Sequence, residues 1–80
     1  MINSLWYVYL LKCSDETLYC GITNNLEKRI DKHNKGKGAR YTKGRGPVTL
    51  VKSFEVSSKS EALKLEYKIK QMSRDEKLKL

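Results

Sequence analysis

The stretch WYVYLLK, residues 6–12, constrains this chain more than any other. Its run of aromatic, β-branched and aliphatic side chains predicts a strand over residues 5–12. Successive side chains of a strand point to opposite faces, so Trp6, Val8 and Leu10 share one side and Tyr7 and Tyr9 the other. A hydrocarbon face backed by a phenol face fits two arrangements. The phenols pack a second layer of core, or they line a site.

The next residues, CSDET, offer turn chemistry, and TLYCGIT (17–23) reads as a returning strand, so the pair predicts a hairpin. With odd residues opposite odd residues, Tyr7, Tyr9, Tyr19 and Gly21 share a face. Cys13 and Cys20 then fall on opposite faces, which argues against a disulfide. Neither cysteine has zinc-site spacing, and the start MINSLWYV lacks the basic segment of a secretion signal. Reduced thiols and a cytoplasmic setting are the expectation.

TNNLEKRIDKHNKG (23–36) predicts a helix, capped by Thr23 or an asparagine and ended by Gly36. Leu26 and Ile30 should face the sheet, with Arg29 and His33, also one turn apart, at the margin of that stripe. KGKGARYTKGRGP (35–47) holds four glycines and five basic residues without apolar period, and reads as an exposed loop. VTLVKSFEV (48–56) is a third strand. In SSKSEALKLEYKIKQM (57–72), Ser58 and Glu61 have capping-box spacing, and Ala62, Leu65, Ile69 and Met72 recur at helical spacing. Ser73 and Glu76 repeat the box before a short terminal helix. The order β-β-α-β-α-α over residues 1–80 predicts one α+β domain, a three-stranded antiparallel sheet flanked by helices.

The formal net charge is +8, and it is concentrated: Lys28 to Lys52 holds nine basic residues and one acidic residue, while the remainder balances. Such a surface favours a polyanion, because each neutralised phosphate releases counterions. An anionic membrane is the competing partner, but no long apolar span is present. A basic surface also serves solubility alone.

Glu66 has Ala62 and Ile69, both of the apolar stripe, one turn away, which puts its carboxylate at the margin of the core. Lys70 at i+4 would satisfy it as an ordinary helix pair. Magnesium would also satisfy it, since that ion often takes only one or two carboxylates plus water and substrate phosphate. Alone, Arg29 reads better as a surface helix residue; beside tyrosines and a carboxylate, its planar fork suits phosphate oxygens. His33, Tyr9 and Tyr19 read equally as core-margin residues or as site residues.

In order and spacing, YVY at 7–9, YCG at 19–21, Arg29, His33 and Glu66 in ALKLEYKIK resemble the GIY-YIG nuclease superfamily. The resemblance spans nearly the whole chain and is closest to small single-domain bacterial members, including their GKGARYT loop. Tyr7 stands where the family has its first glycine and Cys20 where it has isoleucine, and no asparagine follows Glu66.

The resemblance implies metal-dependent hydrolysis of nucleic-acid phosphodiesters in DNA repair or processing, with magnesium or manganese as cofactor and DNA favoured over RNA. It carries catalytic roles to Tyr9, Tyr19, Arg29, His33 and Glu66, the last as metal ligand. Tyr9, assisted by Tyr19 or His33, would take a proton from water. A phenol with its ordinary pKa of about 10 needs nearby positive charge for that, from Arg29 and the metal. Gly21, Lys35, Lys37, Arg40, Lys43 and Arg45 are the expected nucleic-acid contacts, Gly21 by permitting close approach. The alternative is a nucleic-acid-binding module with little turnover. No protein partner is legible.

Overall fold

The structure, a computed structural model, describes residues 5–38 and 42–80. Its elements follow the expected order: β1 (Trp6–Lys12), β2 (Leu18–Thr23), α1 (Leu26–Asn34), β3 (Thr49–Val56), α2 (Lys59–Lys70) and α3 (Arg74–Leu78). The strands form one antiparallel sheet in the order β2-β1-β3, so the fold is α+β as predicted. Among the described residues, no helix is long and apolar enough to cross a membrane.

β1 lies in the middle because both of its faces need cover. Val8, Tyr9, Leu10 and Leu11 are buried in succession, alternate residues entering opposite layers. Tyr9 pairs with Gly21 and Leu11 with Tyr19, which is the odd-with-odd register. On the even side, Val8, Leu10 and Cys20 meet Ala62 and Ile69 of α2, rimmed by Trp6, Leu18, Ile22, Phe54, Val56, Leu65 and Leu80. On the odd side, Tyr9, Leu11, Cys13 and Val48 meet Tyr19 and α1 through Leu26 and Ile30. The two cysteines are free and occupy different layers.

Local chemistry sets the helix ends. Asn25 caps α1, its side chain accepting from the Lys28 N–H, and Gly36 follows at φ 73°, a backbone that favours glycine. Ser58 caps α2 through the Glu61 N–H. The Glu61 carboxylate reaches back to Ser57 rather than to Ser58, so that box does not close. The box at Ser73 and Glu76 does close.

β3 registers with β1 through a bulge between Leu10 and Leu11, whose partners are Lys52 and Leu50. The turn into β3 is tied to α1, where the Val48 N–H donates to Asn34 Oδ1 at 2.7 Å. The basic stretch before it is fastened to the hairpin turn. The Ser14 N–H donates to the Arg45 carbonyl at 2.8 Å, and the Arg45 guanidinium pairs with Asp15. What reads as an exposed loop therefore dips into the molecule, with Thr42 buried.

Candidate active site

The odd face of the hairpin carries a cluster of polar side chains hydrogen-bonded to one another. The Tyr9 hydroxyl lies 2.8 Å from His33 Nε2, a bond between two buried residues. His33 Nδ1 lies 2.7 Å from Thr42 Oγ1. Arg29 Nε donates to the Tyr9 oxygen at 3.4 Å. Tyr19 closes the cluster sideways, its ring centroid 5.3 Å from that of His33 and 6.3 Å from that of Tyr9.

Helical spacing builds the far wall. Arg29 and His33 are four residues apart on α1, so both descend from one face onto the phenols. Gly21 sits directly opposite Tyr9. A Cβ there would stand 2.5 Å from the Tyr9 oxygen and 3.0 Å from Tyr19 Cε2. Its expected part in nucleic-acid contact is thus corrected: Gly21 is buried beneath a phenol, and the close approach it permits is that of Tyr9. Gly38 plays the same part for the imidazole, since a Cβ there would collide with the ring of His33.

Electrostatics sort the roles. Burial raises the Tyr9 pKa above 10, and the Arg29 hydrogen bond and charge only partly offset it. The cationic neighbour expected to turn Tyr9 into a base does not outweigh its desolvation, and the phenol keeps its proton. Burial, then the charge of Arg29, holds His33 below 6.5, so its imidazole is neutral near pH 7.

Glu66 lies elsewhere. It is carried by α2, whose Ala62 and Ile69 pack on the even face, the opposite side of the sheet from Tyr9. The helix packing thus sets Glu66 on an element across the sheet from the phenol surface that it was expected to reach. Its carboxylate pairs with Lys70 at 3.5 Å, and the side chain is about 18% exposed. It stands near Cys20 on edge strand β2, and burial followed by its charge pushes that thiol up to about 11. Among the described residues, no three His, Cys, Asp or Glu side chains gather into a metal cage. A single carboxylate still suits a hard cation that keeps a shell of water and phosphate. On donor chemistry Glu66 fits such an ion.

The basic residues divide. Lys35 pairs with Asp31 at 2.9 Å, and Arg45 is engaged by Asp15, so the latter's charge is already answered within the fold. Lys37 and Lys43 are exposed, and Arg40 lies outside the described residues. A shallow pocket at the start of α1 is lined by Thr23, Asn24, Asn25, Lys28, Arg29 and Lys32. Lys28 and Lys32, not singled out from the sequence, put two ammonium groups beside the Arg29 fork. Thr42 was also missed. It lies in a glycine-rich run with no period to mark it as buried.

The fold has close parallels. A family model for the GIY-YIG catalytic domain matches residues 5–79. A UPF0213 protein of Clostridium perfringens is 60% identical over 74 residues, covering 92% of this chain and 80% of its own. One from Nitratidesulfovibrio vulgaris is 49% identical over 76 residues, covering 95% and 69%. Among solved structures, the solution structure of a UPF0213 protein from Bacillus halodurans superposes with a TM-score of 0.57 at 48% identity, over 91% of this chain and 78% of that one. The E. faecalis protein EF2693 gives 0.64 at 33% identity, over 98% and 85%. The chain belongs to the GIY-YIG catalytic-domain family, in company with the UPF0213 proteins. That membership implies a nuclease-like function acting on nucleic acid.

Proposed function

We propose that this protein is a metal-dependent endonuclease that hydrolyses DNA phosphodiesters in repair or processing. The observation that carries the reading is the buried Tyr9–His33 hydrogen bond with Arg29 donating to the same phenol oxygen. A purely structural tyrosine has no need of a neutral imidazole and a guanidinium on one oxygen. The lysines beside Arg29 support a phosphate backbone running along the first turns of α1.

Tyr9 acts as a proton relay in this reading. Its oxygen receives the proton of the attacking water while its own proton passes to His33 Nε2. Neutral His33 is the final acceptor, a role open to it because Arg29 and burial keep it unprotonated. As water oxygen bonds to phosphorus and the P–O bond to the leaving group breaks, the remaining N–H groups of Arg29 stabilise the charge developing on phosphate. Tyr19 holds the imidazole from the side. Glu66 would hold magnesium or manganese. Such an ion supplies charge neutralisation at phosphate and a more acidic water.

A second reading draws on the placement of Glu66. With its carboxylate paired to Lys70 on a helix that packs on the even face, the chain would be a nucleic-acid-binding module with little turnover. Incubation with labelled single-stranded, duplex and branched DNA and with RNA, in magnesium, manganese or EDTA, separates the two. Cleavage of DNA that EDTA abolishes, and that Glu66→Gln loses without a change in melting, is the expected result. Salt-sensitive binding without cleavage on any substrate favours the module.

A further inference from the structure

Thr42 is almost fully buried, at 1% exposure, in a glycine-rich basic stretch of chain. The fold holds it there by a short series of bonds. The Arg45 N–H donates to the Thr42 carbonyl at 3.0 Å, the Arg45 carbonyl accepts from Ser14, and the Arg45 guanidinium grips Asp15. The hairpin turn thereby anchors the segment that delivers the Thr42 hydroxyl to His33 Nδ1, while Gly38 leaves room for the ring.

The hydrogen-bond inventory selects one tautomer. The Tyr9 oxygen already receives Arg29 Nε–H, and its own proton needs an acceptor because the residue is buried. His33 Nε2, at 2.8 Å, is that acceptor only when it carries no hydrogen. A neutral imidazole then bears its proton on Nδ1, which must donate to Thr42 Oγ1. The other tautomer would aim two donors at the phenol oxygen and leave the phenol proton stranded. Among the described residues, Tyr9 of β1, Tyr19 of β2 and Arg29 of α1 also face the ring.

We infer that Thr42 is a positioning residue, accepting from His33 Nδ1 and so holding the tautomer that the Tyr9 hydroxyl selects, with a bare Nε2 facing Tyr9. Its catalytic consequence rests on the proposed phosphodiesterase reading, but the tautomer itself does not. His33 is the one histidine of the chain, so the imidazole 15N signals of labelled protein report on it alone.

A long-range 1H–15N spectrum near pH 7.5 should show protonated Nδ1 and unprotonated Nε2 in the native protein. Thr42→Ser should keep that pattern, and Thr42→Val should mix or reverse it. Where DNA is cleaved, Thr42→Val should lower the single-turnover rate about tenfold, in line with losing one hydrogen bond, at unchanged DNA affinity, and Thr42→Ser should retain the rate. A native Nε2–H tautomer overturns the inference, even if Thr42→Val proves unable to fold. So does a Thr42→Val protein with the native tautomer, whatever its rate. Absence of cleavage by the native protein would overturn the phosphodiesterase reading and leave the spectrum as the test of Thr42.

Discussion

On the α2 side of the sheet, the inward residues of β1 and β2 are aliphatic, aromatic or thiol, and nothing there requires a directed partner. On the α1 side, the same strands present Tyr9 and Tyr19, and burying them draws in Arg29, His33 and Thr42 as hydrogen-bonding or ring partners. Hydrophobic burial is non-directional and roughly proportional to area, so many packings serve it. Buried polar atoms must each be answered in a specific direction. One face therefore holds the fold together, and the other holds a particular arrangement of protons.

Substitutions on the two faces should separate accordingly. Leu10→Ala, on the even face, should cost about 2–5 kcal/mol of stability through lost burial and the cavity left behind. Chemical denaturation measures this, and an unchanged midpoint would deny the even face its structural role. Gly21→Ala works on the odd face, where a Cβ would push on the Tyr9 oxygen. It should cost about 1–3 kcal/mol and part the phenol from His33, so that activity falls more than stability alone explains.

A smaller effect distinguishes the faces by pH. Burial and Arg29 hold native His33 below the unfolded value of 6.5. As pH falls below about 6.5, the unfolded chain binds a proton that the native imidazole refuses, so stability declines through that window and is flat above it. Asp15, Glu61 and Glu76 are held below their ordinary values of 3.8 and 4.5 chiefly by hydrogen bonds from Thr17, Ser57 and Ser73, and their contribution is lost only at lower pH. Melts of the native protein and of His33→Asn between pH 7.5 and 5 should diverge below 6.5. Parallel curves would contradict the buried neutral imidazole. The smallest change is expected from the surface. Lys28→Ala with Lys32→Ala should flatten the salt dependence of duplex binding by about 0.9 per lost phosphate contact. An unchanged slope would move the nucleic acid away from α1.

The sequence made the even face legible because periodicity alone describes it. Alternation in WYVYLLK and the Ala62, Leu65, Ile69 stripe place those residues without knowledge of their partners. The hairpin register, α1 and the convergence of Tyr9, Tyr19, Arg29 and His33 followed from the same two periods together with the motif resemblance. Thr42 was hidden because its burial depends on Asp15, 27 positions away, gripping Arg45. No local pattern encodes that contact. The layer of Glu66 was hidden for a related reason: helical spacing says that a residue borders a stripe, but not which side of a sheet the stripe covers. Charge in a sequence does not disclose pairing, as Arg45 with Asp15 shows.

The central claim is that chemistry resides on the odd face and passes through the Tyr9 hydroxyl. Single-turnover cleavage of labelled DNA by Tyr9→Phe, beside a binding titration and a thermal melt, tests it most directly. Phenylalanine keeps the ring against Gly21 and removes only the oxygen shared by His33 and Arg29. The account predicts a rate lowered by about a hundredfold or more, with DNA affinity nearly unchanged and only the modest stability loss of one buried hydrogen bond. Cleavage by Tyr9→Phe at the native rate would contradict it.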